Sequence, residues 1–140
     1  MLHWSEVYKT GHPDIDAQNK CMIDVMNVLH EAVETGSDYV IIEHILTLLE
    51  DLTPEHFELE EGLMKRFNCP MSEQNRIAHQ EFLKMLGELR ETCSPESFNQ
   101  PETVDLYYEI IYWLKDHILS IDIPNLKIRR KQTASSLMSG

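Results

Sequence analysis

Cysteine is scarce in this 140-residue chain: Cys21, Cys69 and Cys93 are odd in number and far apart. None forms a Cys-x-x-Cys pair, so a disulfide framework is excluded and free thiols in a reducing compartment are expected. Glycine (5) and proline (6) are also few, which argues against a low-complexity or disordered chain. No apolar run approaches ~18 residues, and no basic-then-apolar leader opens the sequence, so neither a membrane span nor a signal peptide is expected and a cytoplasmic location is. Positive charge is short: 12 Lys and Arg stand against 24 Asp and Glu, a net charge of -12. That excludes the basic face a nucleic acid needs. Four of the basic residues (Lys127, Arg129, Arg130, Lys131) fall in the last sixteen positions, which hold no acid. Residues 125–140 therefore read as a basic, flexible tail. There is no strand-period pattern, internal repeat, phosphate loop or Ser-His-Asp order, so hydrolase and nucleotide-binding readings have no support.

Helical periodicity fills most of the rest. Residues 1–16 read as a non-helical arm, with Trp4, Tyr8 and Ile15 as apolar anchors among Gly11, Pro13 and Asp14. A first helix is expected from about Ala17 to Thr35, capped by Asp16, stopped by Gly36, with Asn19, Met22, Met26, Leu29 and Val33 on its inner face. A second should run from Tyr39 to Phe67 with Ile41, Ile45, Leu48, Leu52, His56, Leu59 and Leu63 inward. Pro54 predicts a kink near Asp51–Thr53, with Thr53 capping a restarted helix. A third is expected over Glu73–Thr92, with Asn75, His79, Phe82, Leu86 and Leu89 inward. A fourth should run from Pro101 to a stop before Pro124, with Leu106, Ile110, Trp113, Leu114, His117 and Ile121 inward. Four helices with short connections make an all-α, antiparallel up-down four-helix bundle over residues 1–124.

Within that pattern, His56 and Glu60 lie four residues apart, about 40° round a helix, so both project from one face. His79 occupies another inward face, and His117 and Asp122 lie near the end of a third. Three imidazoles and two carboxylates inside a bundle suit iron, zinc or manganese, with iron or manganese favoured where carboxylates bridge two ions. Any single buried histidine could instead be satisfied by hydrogen bonds, and all five groups could neutralise one another as buried ion pairs. His3, His12 and His44 read as surface residues. His30 sits about 16 Å along the helix from Asn19 and is too distant to join it. Glu61 reads as a solvent-facing neighbour of the site or a support to it.

The run Trp4…Tyr8…Gly11…Ile15-Asp16-Ala17-Gln18, the run His56-Phe57…Glu60-Glu61…Leu63-Met64, then His79…Phe82 and Trp113…His117-Ile118…Asp122 resemble the hemerythrin family in order and spacing. The resemblance spans residues 4–122. It implies a bundle around two non-haem irons that bind dioxygen. It assigns Glu60 and Asp122 as carboxylate bridges, His79 and His117 to one iron, and His56 to the other. Two positions depart from the family pattern, because Asn19 and Asn75 stand where it has histidine.

Each iron position thus loses one imidazole, and an amide oxygen is the weaker ligand for Fe(II). Unequal sites are expected, with the His79/His117 position filling first. Pro124 and Asn125 also replace the continued helix and aromatic of the family, which predicts a looser wall at that end. His117 and Asp122 are five apart, about 140° of regular helix, so a widened π-type turn is expected between them. The reading is a non-haem iron protein with one or two irons, binding dioxygen or a related oxidant for sensing, storage or delivery. A metal-poor interaction module and an iron-dependent peroxidase or oxidase are the alternatives.

Overall fold

The computed structural model describes residues 2–127. It is a four-helix bundle: α1 spans Pro13–Thr35, α2 Tyr39–Arg66, α3 Ser72–Thr92 and α4 Pro101–His117. A π-type turn, Ile118–Asp122, follows α4 and leads into a short final helix, α5, Ile123–Leu126. A single 3₁₀ turn, Glu6–Tyr8, interrupts the arm. Each long helix packs on two others, α1 on α2 and α4, α3 on α2 and α4. No strand occurs among the described residues, and no helix there is long and apolar enough to cross a membrane. Of the expected basic tail, residues 128–140 lie outside the described residues.

The first helix starts earlier than expected. Pro13 serves as its first residue, a position where the missing N–H is not needed. Asp16 does not cap it. Its carboxylate instead accepts hydrogen bonds from the Thr10 N–H (2.8 Å), the Thr10 hydroxyl (2.8 Å) and the Gly11 N–H (3.0 Å), folding the arm back on the helix. Gly36 ends α1 at φ 69°, a left-handed conformation that costs glycine nothing, and its N–H returns to the Ala32 and Val33 carbonyls.

α2 runs unbroken through Pro54, so the expected restart at Thr53 does not occur, and the Thr53 hydroxyl is buried without a partner. Its inward face is broader than the expected stripe: Ile45 and His56 are buried as expected and Leu52 packs on the core, but the face also takes in the next residues on. Ile42, Leu46, Leu49, Phe57, Glu60 and Met64 are buried, while Ile41 and Leu48 are 48% and 44% exposed. Both stripes have three-four spacing. The observed face is the one that buries His56 and Glu60 together.

α3 buries the expected set, Asn75, His79, Phe82, Leu86 and Leu89. In α4, Tyr107, Ile110, Ile111, Leu114 and His117 are buried, and Trp113 is half-buried at the edge of the face. Met22, Met26 and Phe82 are core, as expected.

Pro124 does not end the last helix. The π-type turn resets the ladder, and Pro124 falls in the first turn of the new segment. The Asn125 amide donates to the Ile121 carbonyl (2.7 Å). His12, expected at the surface, donates from Nε2 to the Leu126 carbonyl (2.8 Å) and packs on Phe67. Leu126 is only 3% exposed, so this end of the core is closed rather than loose.

Candidate metal centre

His56, Glu60, His79, His117 and Asp122 all project into the bundle, none more than 5% exposed. α2 supplies His56 and Glu60 one turn apart, α3 supplies His79, and α4 with its π-type turn supplies the last two. The wide turn matters because it brings Asp122 Oδ1 within 3.3 Å of His117 Nε2, which a regular helix would not.

Three donor atoms form a tight triangle. Glu60 Oε1 lies 3.0 Å from His79 Nε2 and 3.1 Å from His117 Nε2, and the two nitrogens are 3.0 Å apart. Adjacent octahedral ligands at about 2.1 Å from one ion would be about 3.0 Å apart, so the spacing is that of cis ligands. A second group, His56, Glu60 and Asp122, gathers its ligand atoms within 4.8 Å, with His56 Nε2 3.3 Å from Glu60 Oε2. Glu60 belongs to both groups, one oxygen facing each.

Hydrogen bonds on the far side of the rings fix the histidines. His79 Nδ1 lies 2.9 Å from Glu61 Oε2, an acceptor only, so Nδ1 carries the hydrogen and Nε2 presents its lone pair to the triangle. His56 Nδ1 likewise donates to Gln18 Oε1 at 2.8 Å. The Phe57 ring stacks on His79 with centroids 3.7 Å apart and planes within 4°, which holds the imidazole plane. Gln18 and Phe57 were not identified as supports from sequence. The signal for Gln18 was its place one residue before Asn19, on a helix whose inner face was already assigned.

The charges are unevenly held. Burial alone would push the Glu60 carboxyl up, but its hydrogen bonds, that from His117 first, outweigh it and hold Glu60 well below the usual carboxylate range. Asp122 goes the other way, raised first by burial and then by the nearby Glu60 charge. Burial opposes the charge on His117, yet Asp122 and Glu60 raise it to about 9. Without a cation, this core therefore favours the charged form of His117 beside an ionised Glu60.

Asn19 Oδ1 and both amide atoms of Asn75 lack partners, while Glu60 Oε2 and Asp122 Oδ1 have only the 3.3 Å contacts to His56 Nε2 and His117 Nε2. Asn19 donates from Nδ2 to Asp122 Oδ2 (3.3 Å), which places it on the His56 side, while Asn75 sits one turn before His79. Unpaired buried polar groups cost about 1–3 kcal/mol each, and a bound cation would satisfy the oxygens among them, though not the Asn75 Nδ2 donor.

The fold and these donors define a class: a four-helix bundle with a carboxylate and imidazole centre in its core. The chain matches the family described as the hemerythrin HHE cation binding domain over residues 10–122. It is 30% identical over 123 residues to a bacteriohemerythrin of Pseudomonas paraeruginosa, covering 86% of this chain and 76% of that protein. A bacteriohemerythrin of Pseudomonas aeruginosa gives the same identity and coverage, and one of Stenotrophomonas maltophilia is 27% identical over 124 residues, covering 87% and 77%. The chain belongs to the hemerythrin family, a family of non-haem iron-binding, oxygen-related proteins.

Proposed function

We propose that the chain holds non-haem iron between Glu60, His79, His117 and Asp122 and uses it to bind dioxygen or a related small oxidant, for sensing, storage or delivery. The observation that carries this reading is the three-atom triangle of Glu60 Oε1, His79 Nε2 and His117 Nε2 at 3.0–3.1 Å. His56, Glu60 and Asp122 offer a second position with fewer nitrogens, so it fills more weakly. Iron, when bound, supplies electrons and open coordination positions to the oxidant.

The protein's own residues do the rest. Glu61 and Gln18 keep His79 and His56 in the tautomer that offers Nε2. Phe57, stacked on His79, and Phe82 against it cover that side of the centre with buried apolar surface and keep bulk water out. Asn75 and Asn19 bring amide oxygens where imidazoles are lost. The orphaned acceptors speak against a metal-free interaction module, because a bundle that had given up its metal would gain stability by replacing them with apolar side chains. The test is optical: a visible band of iron-loaded protein that rises with oxygen and disappears on degassing supports reversible binding. Steady consumption of peroxide without such a band would favour the enzyme reading instead.

A further inference from the structure

A groove of about 980 Å³ runs along the outer surface where α3 meets α4, and it reaches inward to His117. Trp113 lines it. Its indole lies almost parallel to the His117 imidazole, centroids 4.5 Å apart and planes within 10°, and packs on Phe82 at 4.6 Å. His117 is 5% exposed and Trp113 half-buried, so the indole is the open member of the stack. Tyr108 and Tyr112 line the same groove, the latter 64% exposed. The rim carries Asp105, Glu109 and Asp116 against Lys115, and the floor holds His117, so the groove keeps one net negative charge when His117 is charged, as in metal-free protein, and two when it is neutral.

We propose that this groove docks a cationic, aromatic one-electron donor, and that Trp113 and His117 carry its electron to the iron. The inference rests on the iron reading above. Aromatic faces of Trp and Tyr attract a flat organic cation, and rim carboxylates steer it at low salt. The indole is not itself oxidised: lying parallel to the imidazole of a proposed iron ligand at 4.5 Å, it bridges the gap as a medium through which the electron tunnels inward. The step balances simply. The donor loses one electron, one Fe(III) becomes Fe(II), and no bond forms or breaks. Its use is to return oxidised iron to the ferrous state in which it can meet oxygen again.

The docking half is read without any metal. Trp4→Phe leaves Trp113 as the sole indole, since the chain has 2 tryptophans. Methyl viologen dication added to metal-free Trp4→Phe protein is expected to quench Trp113 fluorescence along a saturating curve that added salt suppresses. A zwitterionic viologen with the same rings is expected to quench weakly and linearly. Adding Asp105→Asn and Glu109→Gln, both exposed, is expected to weaken the cation's half-saturation by about three- to tenfold. Equal, linear quenching by both viologens, or no effect of the double substitution, overturns the docking site.

The electron half uses iron-loaded, oxidised protein and methyl viologen radical in an anaerobic stopped-flow experiment. Trp113→Phe is expected to slow iron reduction by about tenfold or more at unchanged iron content, the equivalent of about 1.4 kcal/mol. The rim double variant is expected to slow the cationic donor and spare the zwitterionic one. Unchanged rates in both variants overturn the path. A chain that takes up no iron contradicts the proposed function instead, and the quenching curve separates that failure from failure of the groove.

Discussion

Asn75→Leu separates a side chain that serves the centre from one that is merely buried. Asn75 is fully buried, and neither end of its amide has a partner. Each unpaired atom costs about 1–3 kcal/mol, so the metal-free protein carries about 2–6 kcal/mol of unrelieved desolvation at this residue. Leucine has the same branching and no polar atoms. Part of the gain is lost to its extra volume, by about 1–3 kcal/mol. The expected net effect on metal-free protein is stabilisation by about 1–3 kcal/mol, a rise of about 3–10 °C in Tm for a chain of this size. Thermal and urea unfolding followed by far-ultraviolet circular dichroism, in excess chelator, reads it. In the same variant the first equivalent of iron is expected to bind about tenfold more weakly or worse, about 1.4 kcal/mol, because an oxygen donor has gone. Destabilised metal-free protein with unchanged iron affinity would refute the reasoning and place the amide outside the centre.

Further outcomes follow from the same geometry. Asn75→His and Asn19→His are expected to raise iron occupancy and colour, each at its own position; unchanged metal content would mean those positions do not face iron. Glu61→Ala removes the acceptor for His79 Nδ1–H and is expected to weaken the first iron by about 10- to 100-fold, while Gln18→Ala affects only the second, as read by titration. Protonation also bears on stability. His117 is raised from 6.5 to about 9, so its contribution, of order 3 kcal/mol, is fully present below pH 6.5 and lost as pH rises through 9 in metal-free protein. Asp122, also raised, loses its contribution as pH rises above the ordinary carboxyl range, whereas the lowered Glu60 loses its contribution only as pH falls into the acid range. Urea unfolding of metal-free protein at pH 6.5 and 9.5 is expected to show the drop, and equal stability would contradict the charge assignment. Iron binding near pH 7 is expected to release at least the proton His117 carries, measurable by calorimetry in buffers of different ionisation enthalpy.

Periodicity in the sequence was enough for the bundle, its four helices and the five inward donors, because a ligand pair such as His56 and Glu60 must share a helical face. The π-type turn was legible for the same reason: a five-residue spacing cannot place His117 and Asp122 together on a regular helix. The register of α2 was not legible. Ile41 and Leu48 fit the three-four spacing as well as Ile42 and Leu49 do, and only packing against α1 and α3 selects between them. The end of α4 was misread because Pro124 looks like a stop. After a π-type turn it falls where no N–H is required, and His12 and Asn125 tie the continuation down through contacts distant in sequence. Glu61 was legible as a support to the site, whereas Gln18 acts on the far side of an imidazole from another helix, a relation that spacing on one helix does not reveal.

Stepwise Fe(II) titration of anaerobic, metal-free protein, with elemental iron measured per polypeptide, tests the central claim most directly. A tight first equivalent and a distinctly weaker second, both abolished by Glu60→Gln, is the predicted result. Two equally tight equivalents, or no retained iron in protein that is fully folded, would contradict it.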